Sequence, residues 1–85
     1  MYELLYARSV GKELRKIPKK DLQRIIVKIQ HLAKTPIPET ALQLKGTEDT
    51  YRIRHGNYRV VYRVDEGTVT ILILRVAHRK DVYRN

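Results

Sequence analysis

Hydrophobic positions run along this chain in two periods, helical in its first half and alternating in its second. Residues 2–7 (Tyr-Glu-Leu-Leu-Tyr-Ala) are short, apolar and aromatic, the composition of a strand. Val10, Leu14 and Ile17 follow at spacings of four and three, a narrow helical stripe with Ser9 as its candidate N-cap. Pro18 stops that helix near Ile17, because proline disfavours α geometry in the residue before it. A second helix is predicted from Lys19 to about Lys34, on the stripe Leu22, Ile25, Ile26, Ile29, Leu32 and Ala33. Asp21 stands in its first turn, where negative charge suits the helix dipole, and Thr35-Pro36 ends it. With almost nothing between them the helices form an antiparallel or bent pair, and neither buries its stripe without a sheet to lie on.

Residues 35–50 read as the longest irregular stretch, with Leu42 and Leu44 dipping into the core and Gly46 permitting a turn. The period then becomes two. Tyr51, Ile53 and His55 alternate with Arg52 and Arg54; Gly56-Asn57 supplies a tight turn; Tyr58, Val60 and Tyr62 alternate with Arg59, Val61 and Arg63. This is a β-hairpin. With Gly56 and Asn57 as the loop, His55 faces Tyr58, Arg54 faces Arg59, Ile53 faces Val60 and Arg52 faces Val61. Arg52, Arg54 and Arg59 then share one face, and Tyr51, Ile53, Val60 and Tyr62 the other. After a turn at Asp65-Glu66-Gly67, Thr68 to Val76 is β-branched and apolar nearly throughout, which predicts a central strand. The fold class is α+β: an N-terminal strand, a two-helix pair, then a three-stranded antiparallel meander joined by the first strand. The tail from Ala77 to Asn85 is polar and is expected to lie close to the sheet without forming a further element.

The 85 residues make one small domain, 1–85, with a modest core. The absence of cysteine excludes disulfides, thiolate metal sites and a cysteine nucleophile. No apolar run is long enough to cross a bilayer and no signal segment follows Met1, so a cytoplasmic protein without a membrane partner is expected. Eighteen Lys and Arg against nine Asp and Glu give a net charge of +9, which favours a polyanionic partner. The exposed helix faces add to it with Lys12, Arg15, Lys16, Lys19, Lys20, Arg24 and Lys28, although solvated basic helix surfaces are common.

Against that background the hairpin arginines carry the sharper signal. Like charges opposite one another destabilise a sheet. A single such arginine is ordinarily a solvated residue; three on one short hairpin point to a polyanion that belongs there. No phosphate-binding glycine loop, zinc-ligand spacing or nucleophile elbow appears, so no metal or small-molecule cofactor is expected. His31 falls off the helical stripe, His55 sits beside the turn, and His78 alone lies near other candidate groups.

A site of arginines and a tyrosine suits RNA cleavage by the neighbouring 2′-OH. That reaction needs the hydroxyl deprotonated, the extra charge on the pentacoordinate phosphate stabilised and the leaving 5′-oxygen protonated. Guanidiniums offer fixed, forked donors for phosphate oxygens, and stabilising the charge that develops is usually the largest catalytic contribution. Tyr83 or His78 is available as base, and guanidiniums around a phenol favour its phenolate. On spacing, a C-terminal aromatic packed on the sheet edge is the commoner role for Tyr83.

Three segments taken together resemble a known family: Leu-Lys-Gly at 44–46, Tyr-Arg-Ile-Arg…Gly-Asn-Tyr-Arg-Val-Val-Tyr at 51–62, and Val-Ala-His-Arg-Lys-Asp-Val-Tyr at 76–83. The chain looks like the RelE/ParE superfamily of toxins from type II toxin–antitoxin pairs, closest to the RelE branch, over essentially its whole length. The resemblance implies a microbial-RNase-like sheet packed on helices, and an endoribonuclease that enters the ribosomal A site and cuts mRNA without a metal. It implies the ribosome, mRNA and a RelB-like antitoxin as partners. By position, Arg52 and Arg54 match basic residues that hold the scissile phosphate, which are lysines in the best-known members. Arg59 matches an arginine on the phosphate, Arg79 a proposed general acid and Tyr83 the proposed base; His78 is an alternative acid or base. Lys45, Arg63 and Lys80 are candidate RNA-binding residues. ParE-like members of the same fold poison DNA gyrase and lack the RNase residues, and a basic RNA-binding module without catalysis is the third reading.

Overall fold

The computed structural model describes residues 1–82. Strand β1 (Glu3–Tyr6) leads into helices α1 (Val10–Arg15) and α2 (Lys19–Leu32), which precede β2 (Leu42–Gln43), β3 (Thr50–His55), β4 (Tyr58–Asp65), β5 (Thr70–His78) and α3 (Arg79–Val82). The strands form one five-stranded sheet in the order β1-β5-β4-β3-β2. β1 runs parallel to β5, and the other ladders are antiparallel. This is the α+β order that the hydrophobic periods predict; the strand expected to be central, β5, is interior only where β1 pairs with Thr70 to Ile73, and β4 is the middle strand.

Both helices lie on one face. Val10, Ile17, Ile25, Ile29 and Leu32 meet Ile53, Val60, Tyr62, Val64, Ile71, Ile73 and Val76 in a single core. Each fully buried aliphatic side chain contributes roughly 1.5–3 kcal/mol. Tyr62 is wholly buried, stacks on Tyr51 with ring centroids 5.9 Å apart, and donates its hydroxyl to the Pro36 carbonyl at 2.7 Å. That bond ties the chain leaving α2 to the middle of the sheet. Burial raises the Tyr62 phenol well above its ordinary value, with the neighbouring Tyr51 adding to the effect.

Several local expectations are corrected. Ser9 makes no capping hydrogen bond and has helical φ and ψ. α2 ends at Leu32, two residues short of the expected Lys34. The stretch read as irregular contains β2, whose two residues are too few for any pattern to show. Leu42 is 55% exposed instead of buried, because it pairs with Arg52 and so shares the face away from the helices. Leu44 is half-buried. The tail forms a short helix, α3, directly after β5. Gly46 and Gly56 turn the chain with φ of +79° and +58°, as glycine permits.

One irregularity decides which way a charge points. Tyr62 pairs with Ile73, yet Val61 pairs with Arg75, so Leu74 is an extra residue in β5. Strict alternation from Ile71 and Ile73 would send Arg75 into the core. The bulge resets the phase: Val76 goes into the core and Arg75 shares the opposite face with Val61.

Candidate functional site

The hairpin register is the one that the alternation predicts. Arg52 pairs with Val61, Arg54 with Arg59, Ile53 with Val60 and His55 with Tyr58. Arg52, Arg54 and Arg59 therefore stand together on the face away from the helices. α2 braces the hairpin near its tip: Lys28 Nζ donates to the Arg54 carbonyl at 2.9 Å, and His55 Nε2 lies 3.1 Å from the Asp21 carboxylate. At the other side of the turn, the Arg79 N–H donates to the Asn57 carbonyl at 2.6 Å. The start of α3 is thereby fixed against the hairpin, and Arg79 joins the end of the sheet where Arg54 and Arg59 lie.

The three arginines differ in exposure. Arg54 is exposed and Arg52 half-buried, but Arg59 is only 7% exposed. Among the described residues the buried Nε of Arg59 has no hydrogen-bond partner. A buried donor without an acceptor costs about 1–3 kcal/mol, more when the group is charged. Arg54 sits directly opposite and adds repulsion. A cation held at such cost is poised for an anion.

Not every predicted residue joins this cluster. His78 pairs with Tyr58, and Tyr58 packs on the core, so His78 lies on the helix side of the sheet. Its ring meets Tyr58 edge to face at 5.6 Å and 82°. The sheet separates it from the arginines. Arg63 is on the arginine face but at the far end, where it lines a surface depression with Glu48, Asp49, Asp65 and Glu66. Those carboxylates oppose a polyanion there. Asp65 is the best anchored of them: the Thr68 N–H at 3.1 Å helps hold its carboxyl below the usual carboxylate range. Lys45 is exposed between β2 and β3, and Lys80 is exposed beside Arg79. Tyr83 lies outside the described residues.

Two residues escaped the sequence reading. Arg75 faces the arginine side through the bulge, and its Nε donates to Glu13 Oε2 at 2.9 Å. Glu13 Oε1 accepts the Val76 N–H at 2.8 Å. The signal for Arg75 was present as the one charge inside the apolar run from Thr70 to Val76.

Comparison with known proteins agrees with this architecture. The family described as the ParE toxin of type II toxin–antitoxin system, parDE, matches residues 4–83. The toxin RelG of Mycobacterium tuberculosis is 30% identical over 84 residues, covering 98% of this chain and 97% of that protein. A chain in the crystal structure of the archaeal RelE–RelB complex from Pyrococcus horikoshii superposes with a TM-score of 0.82 at 32% identity, covering 92% of this chain and 94% of the other. The isolated E. coli RelE toxin superposes with a TM-score of 0.81 at 29% identity, covering 98% and 92%.

Proposed function

The chain belongs to the RelE/ParE toxin family of type II toxin–antitoxin systems, and from that premise we propose that it is a metal-independent endoribonuclease that cuts mRNA in the ribosomal A site. The observation that carries this reading is the Arg59 side chain: buried, lacking an acceptor for Nε among the described residues, and set directly against Arg54. An RNA phosphodiester supplies the missing negative charge.

In the proposed reaction the 2′-OH attacks the adjacent phosphorus. The O2′–P bond forms, the P–O5′ bond breaks, and the products are a 2′,3′-cyclic phosphate and a free 5′-hydroxyl. Arg52, Arg54 and Arg59 hold the phosphate and neutralise the charge that gathers on its oxygens in the transition state. Arg79 delivers a proton to the leaving O5′, and Tyr83 takes the proton from the 2′-OH. The helix-side position of His78 favours Tyr83 over it as base. The ribosome presents the RNA in the required geometry, so the toxin works in the cytoplasm. Relatives crystallised with RelB support a RelB-like antitoxin as the inhibitor.

The test is toeprinting on translating ribosomes with the parent, Arg59→Ala and Tyr83→Ala, each checked for fold by circular dichroism. The parent produces cleavage within the A-site codon and both variants lose it. Arrest by both variants at the parental level overturns the assignment. The ParE description of the matched family keeps gyrase poisoning as the competitor. A supercoiling assay run alongside separates the two, with inhibition by the parent in that assay favouring the competitor.

A further inference from the structure

At the outer edge of β5, where Arg75 reaches Glu13, a cleft of about 290 Å3 opens between the end of α1 and the last residues of the strand. β1 stops at Tyr6, opposite Ile73, so no strand pairs with the outer edge of β5 from there onward. Glu13 fills part of that edge. One of its oxygens accepts the Val76 N–H and the other the Arg75 Nε, so both are engaged. The other polar side chains among the described residues lining the cleft can all donate: the Arg75 guanidinium, the Lys16 ammonium, the Tyr58 hydroxyl and the His78 ring. The Lys80 N–H donates to His78 Nδ1 at 3.3 Å, which leaves Nε2 as the nitrogen that carries the proton in the neutral ring. Lys16 is exposed and has no ion-pair partner among the described residues. A recess in which the only carboxylate among the described residues is committed, and whose other polar side chains can donate, suits an anion.

Its position says which anion. Ala77 lines the cleft and is also the cross-strand partner of Arg59. The two sites therefore adjoin across β5, whose outer edge has no pairing strand there. The geometry points to a second phosphate subsite, formed by Lys16, Arg75, His78 and Tyr58, that holds the phosphodiester of a nucleotide flanking the one bound at Arg59. A single-stranded RNA that crosses the end of β5 meets both. Glu13 is a positioning residue: it fixes Arg75 and leaves the outer guanidinium nitrogens for the ligand. This inference rests on the RNA-cleaving reading above.

The experiment uses the full chain and an RNA trinucleotide carrying 2′-O-methyl groups, which removes the attacking hydroxyl and prevents cleavage. Side-chain NMR signals of His78 and Tyr58 are followed on titration with the trinucleotide and, separately, with inorganic phosphate. Trinucleotide affinity is then measured against salt for the parent, Lys16→Ala and Lys34→Ala. Lys34→Ala removes the same charge from an exposed site at the end of α2. The trinucleotide is expected to move both signals. Lys16→Ala is expected to weaken binding on the order of fivefold and to flatten the log–log salt slope by about 0.7, the share of one single-strand phosphate. Lys34→Ala is expected to leave that slope unchanged. Movement with inorganic phosphate alone overturns RNA as the source of the anion; movement with neither overturns the subsite; equal effects of the two lysine variants reduce it to general charge and overturn it as well. Toeprinting by the parent tests the RNA-cleaving reading independently of all three.

Discussion

Arg54 and Arg59 face each other directly across the β3–β4 hairpin, guanidinium stem against guanidinium stem. A directly opposed like-charge pair costs a sheet roughly 0.2–1 kcal/mol. The substitution Arg54→Gln therefore stabilises the folded chain, raising Tm by roughly 1–8 °C for a domain of this size. The same variant arrests translation less well. Thermal melts and a cell-free translation assay check both halves, and a lower Tm contradicts the account.

Arg59 gives a sharper form of the same conflict. Its Nε is buried without a partner among the described residues. Replacement by an apolar residue of similar length relieves that cost, so Arg59→Met gains about 1 kcal/mol. It also abolishes translation arrest. Arg59→Lys keeps the charge but loses the forked donor and recovers only part of the activity. Denaturant titration reads the stability; toeprinting reads the activity. Loss of stability in Arg59→Met would mean that the guanidinium has an acceptor in the free protein.

Tyr62 governs behaviour in alkali. Its folded-state phenol is raised above the ordinary value of 10.0 by burial, while in the unfolded chain it titrates near that value. The stability that Tyr62 contributes is therefore complete below about pH 10 and is lost as pH rises above it. Tyr62→Phe removes this part of the alkaline loss. It also leaves the Pro36 carbonyl without its donor, at a cost of about 1–3 kcal/mol near neutral pH. Stability curves of the two proteins from pH 7 to 12 show a constant difference at first and a narrowing gap above pH 10.

Glu13 acts as a stand-in for a strand. Glu13→Ala frees the Val76 N–H and unanchors Arg75, which costs about 1–3 kcal/mol. Glu13→Gln keeps one acceptor and loses the charge, so its cost is smaller. Amide exchange at Val76 quickens in both, most in the alanine variant. Unchanged exchange at that position would remove Glu13 from the edge.

The comparison of pattern with fold divides along distance in the chain. The helices and the hairpin were legible because their information is local. Stripes at spacings of three and four fold on themselves, and Gly56-Asn57 between two alternating runs leaves one register open. That register places Arg52, Arg54 and Arg59 on one face before any other element is considered. Leu42 was misread because its face is set by a partner ten residues away, Arg52. His78 was read as a neighbour of the arginines because adjacency to Arg79 in the chain was taken for adjacency in space.

Local alternation and turn chemistry therefore decided the element types, the hairpin pairing and the clustering of three arginines, since each depends on residues a few positions apart. The depth of Arg59, the side of the sheet that His78 occupies and the outward swing of Arg75 came from packing. They follow from β5 lying beside β4, from one extra residue at Leu74, and from β1 ending too soon to cover the edge. Those are contacts between distant segments, and a ladder that slips by one residue reverses every side chain beyond the slip.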